Sequence, residues 1–170
     1  MIARAETCLA GCPRALVRTL VLGLGNPLLG DDAVGLRVVQ RLRPRLADWP
    51  GVEVDEDYRG GLVLMERMIG FDRAVLVDAI CSGAEAGTVQ VLSPEAMPTR
   101  HSASAHDVDL STALALGRQA GAPLPATTNI RLVAIEAANA FTFSEECTPP
   151  VQGAIQRATE IVLTLLAAWR

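Results

Sequence analysis

The chain has 170 residues, half of them apolar and only 4% aromatic, and a net charge of −4. That length fits one domain that buries roughly two-thirds of its unfolded surface, and the acidic balance argues against nucleic acid or an anionic membrane as partner. There is no lysine in the sequence, which excludes a Schiff-base lysine and a P-loop lysine. His101 and His106 are the only histidines, so any imidazole chemistry is confined to that stretch.

The four cysteines, Cys8, Cys12, Cys81 and Cys147, form no CxxC pair and no disulfide framework. Reduced thiols and a cytoplasmic location are the plain reading. Leu9-Ala-Gly-Cys12 imitates a lipoprotein cleavage box but lacks a basic segment followed by a long apolar one. No apolar run approaches the ~20 residues needed to span a bilayer.

Residues 1–18 show no clear period and are expected to be a flexible extension; 19–170 read as a single domain. Leu20 to Leu24 is an apolar run that predicts a strand, left through Gly23-Leu-Gly25. A helix follows Asp31-Asp32, with Val34, Val38, Val39, Leu42 and Leu46 at helical spacing, and Pro44 is expected to kink or end it. Val52–Asp57 predicts a second strand, Gly60-Gly61 a turn, and Leu62, Leu64, Met65 and Met68 a helix. Arg73–Asp78 is a third strand, apolar on both faces, and Thr88–Leu92 a fourth. A polar stretch, 93–107, leads into a helix over about 108–120, then a strand from Asn129 to Glu136. The final helix is expected over about 151–169. Strands alternating with helices predict a three-layer α/β/α sandwich around a twisted, mostly parallel sheet of about five strands.

Function in such a sheet gathers beyond the carboxyl ends of the strands. Asp31 and Asp32 fall there after the first strand, Asp55, Glu56 and Asp57 after the second, and Asp78 at the end of the third. His106 joins them if the fourth strand is parallel. Acids and an imidazole together suggest a divalent-metal site of mixed oxygen and nitrogen character. Taken singly the residues have blander roles. Asp31 suits a helix N-cap, Asp32 complements a helix dipole, and Asp55 and Asp57 suit solvated strand ends. Asp78 closes an apolar strand, and a half-buried carboxylate needs a partner.

Other chemistries fit less well. Gly23-Leu-Gly25 with Gly30 misses the dinucleotide spacing, and two acids at a helix start repel a pyrophosphate. The acids at 55–57 nevertheless sit where a ribose-binding carboxylate would be, which keeps NAD open. There is no GxSxG elbow for a serine hydrolase. A Cys81–His106 couple is geometrically imaginable, though most lone cysteines are inert.

Gly23-Leu-Gly-Asn-Pro-Leu-Leu-Gly-Asp-Asp-Ala-Val-Gly35 resembles the N-terminal signature of the nickel–iron hydrogenase maturation endopeptidases. Leu76-Val-Asp-Ala-Ile80 is similar to that family's third-strand segment and Ala105-His-Asp107 to its histidine segment, in the same order and spacing. One departure is Glu56-Asp-Tyr-Arg59 before Gly60-Gly61, where relatives often have an Asp-Gly-Gly-like turn. The resemblance implies an α/β/α endopeptidase that cuts a C-terminal extension from a hydrogenase large-subunit precursor after nickel insertion. It implies metal contacts from Asp32, Asp78 and His106, catalysis by Asp32 and Asp78, and substrate contacts from Gly25, Asn26 and Glu56. The nickel is expected to arrive on the substrate, with zinc or cadmium as stand-ins. Either a carboxylate activates water or the metal polarises the carbonyl. A non-cleaving nickel-checking chaperone of the same fold and a nucleotide-binding enzyme remain the alternatives.

Overall fold

Among the described residues the chain runs through five strands and four α-helices: β1 (Thr19–Leu24), α1 (Val34–Leu46), β2 (Val52–Asp57), α2 (Gly61–Arg67), β3 (Arg73–Ile80), β4 (Val89–Leu92), α3 (Leu110–Gln119), β5 (Ile130–Glu136) and α4 (Pro149–Ala168). The structure, a computed structural model, describes residues 16–96, 109–139 and 142–170. Most of the expected N-terminal extension lies outside these residues, as do Cys8, Cys12, His101 and His106.

The sheet order is β2-β1-β3-β5-β4. β1 pairs in parallel with β2 and β3, and β3 with β5, whereas β4 runs antiparallel to β5. β1 is buried along its whole length, as an unbroken apolar run requires of a strand covered on both faces. On one face Val21, Val75, Val77, Val133 and Ile135 meet α1 and α4. On the other, Leu20, Leu22, Leu76 and Leu132 meet α2 and α3. Each fully buried side chain of this size contributes about 1.5–3 kcal/mol of transfer free energy, so the two apolar layers hold the sandwich together. This is the expected α/β/α architecture. Among the described residues no helix is long and apolar enough to cross a membrane.

The chain moves outward from β1 to β2, then returns across β1 to β3. The order therefore reverses between β1 and β3, and the carboxyl ends of those two strands flank a crevice of the kind in which open α/β sheets bind their ligands. The first turn of α1 is pressed onto this boundary. A Cβ on Gly35 would lie 2.3 Å from the carbonyl oxygens of both Leu24 and Val77, and one on Gly23 would lie 2.5 Å from the Gly35 oxygen. Only glycine permits that approach.

Two local expectations are corrected. Pro44 does not end α1; it lies inside the helix, which runs on to Leu46, because its missing N–H forfeits a single intrahelical bond, the one to the Gln40 carbonyl, while the buried Leu42 and Leu46 carry the helix past it. Nor is β4 parallel, the condition under which the following segment would open on the rim shared by Asp32 and Asp78. The connection 81–88 is shorter than the crossover of about a dozen residues that a parallel return needs. Leu92 pairs with Leu132, near the start of β5, so Ser93 leaves from the opposite rim. The Gly70 N–H donates to the Pro123 oxygen at 2.8 Å, which sets the end of α3 beside the turn into β3. α3 thus begins at the carboxyl rim, where Asp109 caps it through the Thr112 N–H.

Candidate active site

β1 leaves the sheet through Gly25, whose φ of +141° is open to glycine and strained for other residues. A Cβ there would fall 1.8 Å from the Asp32 carbonyl oxygen. The Gly25 N–H donates to the Asp57 oxygen at 3.1 Å, which ties the turn to the end of β2. Asn26 then organises the loop. Its N–H donates to Asp32 Oδ2 at 2.6 Å, and its Oδ1 accepts the Leu28 N–H at 3.0 Å. Asp32 sits in a 3₁₀ turn, Gly30–Ala33, that leads into α1. Gly25, Asn26 and Asp32 thus form one hydrogen-bonded unit, and that turn packs against β3.

Asp78 comes from β3, in register with Ala134 and one residue beyond the Val77–Gly23 pair. By alternation it shares the face of Leu76 and Ile80, toward α2 and α3. Asp78 is 5% exposed and Asp32 8%. Both are buried carboxylates, and both belong to the segments that flank the β1/β3 crevice. The third residue of the expected trio, His106, lies outside the described residues. Among the described residues no three His, Cys, Asp or Glu side chains are grouped to hold a metal ion.

Glu56 lies on the α1 side of β2, and its Oε1 is 3.2 Å from Arg43 Nη2. Asp57 is not the solvated strand end expected of it. It is buried, and its two oxygens take Nε and Nη2 of Arg59, each at 2.9 Å. The N–H groups of Tyr58 and Arg59 add two more bonds. The Arg59 guanidinium, followed by these backbone donors, holds the Asp57 carboxyl below its ordinary value against the opposing effect of burial.

Comparison with known proteins gives the family. The family model described as HycI, hydrogenase maturation protease, matches residues 36–165. The chain belongs to the hydrogenase maturation protease family. It is 33% identical over 153 residues to the hydrogenase 2 maturation protease of Escherichia coli K12, covering 88% of this chain and 91% of that one. The structure of the E. coli maturating endopeptidase HybD superimposes with a TM-score of 0.73 at 31% identity, covering 89% of this chain and 93% of the other. The HycI maturation protease of Thermococcus kodakarensis KOD1 gives 0.66 at 25% identity, with 91% and 95% covered. The protein is a peptidase.

Two residues of the protease carry roles its sequence concealed. Asp31 is fully buried, yet it makes no helix cap. Its Oδ2 accepts the N–H groups of Ala138 and Asn139 at 2.9 and 3.0 Å. Thr148 donates its N–H to Oδ1 at 2.6 Å and its hydroxyl to Oδ2 at 3.0 Å. The carboxylate closes the neck of the loop between β5 and α4. The N-cap expectation failed because the donors that claim Asp31 come from distant sequence.

Glu136 ends β5 at 2% exposure. Its oxygens accept the Ser82 N–H at 2.7 Å, the Gly83 N–H at 2.8 Å and the Ser82 hydroxyl at 2.6 Å. This fixes the loop that follows Asp78. A glutamate ending an apolar strand was the only signal in the sequence. Of the described cysteines, Cys81 is exposed and Cys147 partly buried. The Cys147 Sγ lies 3.4 Å from the Gly30 oxygen, and burial, then the negative charge of Asp31, pushes its thiol pKa up. An acidified nucleophile needs the opposite.

Proposed function

We propose that this protease removes a C-terminal extension from the large-subunit precursor of a nickel–iron hydrogenase once nickel is in place, and that Asp32, Asp78 and His106 grip the nickel the substrate carries. The observation that carries the reading is the pair of buried carboxylates at the β1/β3 crevice. Oxygen and imidazole donors suit a divalent first-row ion already partly held by thiolates. Nickel is thus part of the substrate, and its capture sets the neighbouring peptide bond against the crevice. Such positioning is worth several kcal/mol in favourable cases.

Hydrolysis adds one water across that peptide bond. Oxygen attacks the carbonyl carbon as Asp32 or Asp78 takes the proton, and the departing amine receives a proton as the C–N bond breaks. The Asn26 N–H holds Asp32 through one oxygen, which fixes the direction of the other.

Mass spectrometry of nickel-loaded precursor after incubation tests the reading. The wild-type protein should yield two fragments whose masses sum to precursor plus one water. Asp78→Asn and His106→Ala should retain their circular dichroism and leave the precursor whole. Normal cleavage by both variants would sink the assignment.

A further inference from the structure

Among the described residues, four exposed apolar side chains belong to segments at the carboxyl rim. Leu28 is 53% exposed and Phe143 83%, with Tyr58 and Leu62 also exposed after β2. Leu28 and Phe143 lie on neighbouring strands of backbone. The Ser144 N–H donates to the Leu28 oxygen at 3.0 Å and the Gly30 N–H to the Ser144 oxygen at 2.7 Å, a parallel bridge between Leu29 and Ser144.

The loop that carries Phe143 is held at several points. Asp31 closes its neck through Ala138, Asn139 and Thr148. The bridge fixes its middle, and Arg37 Nη2 donates to the Glu145 oxygen at 3.0 Å. A phenyl ring held in water by a fixed backbone gains nothing for folding, whereas a preformed apolar anchor lowers the ordering cost of binding.

We infer that Leu28 and Phe143 form a docking surface for an extended, apolar segment of the precursor, one of whose side chains covers the Phe143 ring. The inference rests on the cleavage reading above. Leu28 belongs to the same loop as the site, since its N–H donates to Asn26 Oδ1 and the Asn26 N–H to Asp32 Oδ2. A peptidase must lay its substrate chain along this rim. The backbone groups of the bridge are already paired with one another, so contact is made by side chains and not by adding a strand.

The test is steady-state cleavage of nickel-loaded precursor by the double variant Leu28→Ser/Phe143→Ser. KM should rise about tenfold or more, as lost burial of one large ring implies, while kcat and the melting temperature hold. Leu116→Ser, which removes an exposed apolar side chain from α3, should leave KM unchanged. An unchanged KM in the double variant, or a loss confined to kcat, overturns the inference. So does a wild-type dimer in sedimentation that the double variant abolishes with KM unaltered, which assigns the face to a second copy. If the wild-type protein leaves the precursor uncut, the cleavage reading fails by itself. Calorimetric binding of the same precursor then decides the docking surface, with about tenfold weaker affinity in the variant supporting it and equal affinity overturning it.

Discussion

Asp31 and Thr148 stand 117 positions apart and share two hydrogen bonds, one from the threonine N–H at 2.6 Å and one from its hydroxyl at 3.0 Å. The same carboxylate takes Ala138 and Asn139, so one buried charge joins the start of α1, the end of β5 and the start of α4. Asp31→Asn turns an oxygen that faces donors into a donor. The expected loss is about 2–4 kcal/mol, since buried charged hydrogen bonds are worth roughly 1.5–3 kcal/mol and an orphaned group adds its own cost. Urea unfolding measures it. A midpoint equal to wild type would remove Asp31 from this role.

Gly25 should tolerate no side chain. Its φ of +141° and the Asp32 oxygen 1.8 Å from a would-be Cβ mean that Gly25→Ala must displace Asp32. Strain of about 1–3 kcal/mol and a loss of precursor cleavage are expected together, read by denaturation and by mass spectrometry. Gly153→Ala is the control. Nothing lies within 4 Å of its would-be Cβ, it sits inside α4, and it should gain about 0.5–1 kcal/mol.

Glu136 should govern the loop after β3. Glu136→Gln keeps the size but replaces one acceptor oxygen with a donor that faces the donors of Ser82 and Gly83. Hydrogen exchange at those two amides should accelerate about tenfold or more, since losing a bond to a charged group costs roughly 1.5–3 kcal/mol. Exchange at wild-type rates would show the loop to be held by other contacts.

Acid should weaken the β2 end of the sheet. The Asp57 carboxyl is held below its ordinary value of 3.8 by the Arg59 guanidinium first and by backbone donors after it. A group depressed in the folded state contributes stability that is complete above its unfolded value and fades as pH falls through the folded one. Arg59→Gln should therefore raise the Asp57 pKa toward 3.8, followed by carbon-13 NMR of the carboxyl. The variant and wild type should differ in stability at neutral pH and converge in acid. A pKa that does not move would assign the depression to the backbone donors.

The sequence made the elements legible because their signals are local. Val34, Val38, Val39, Leu42 and Leu46 are all buried on α1, as their spacing requires, and β2 spans the expected Val52–Asp57. Asp32 and Asp78 were legible as rim residues because one opens the helix that follows β1 and the other lies near the end of β3. What stayed hidden was the pairing of side chains and of strands. Asp31 looked like a cap because Ala138 and Thr148 are far along the chain. Asp57 looked solvated because the reach of Arg59 back across two residues is a matter of rotamer, not spacing. The direction of β4 depended on β5 taking the place beside β3, which no local pattern announces.

That placement of β5 has a consequence for synthesis. β4 lies at the sheet edge and its neighbour there is β5, which also fills the free side of β3. A ribosome releases the chain from its amino end, so β3 and β4 emerge with their shared partner still unmade. The sheet remains open until residue 136 has cleared the exit tunnel, and the Asp31 clamp until Thr148 has followed. The nascent protease is thus inactive by topology until its last third is born. Chaperone capture of this chain should peak on ribosomes that have translated past Leu92 but have not yet released Glu136.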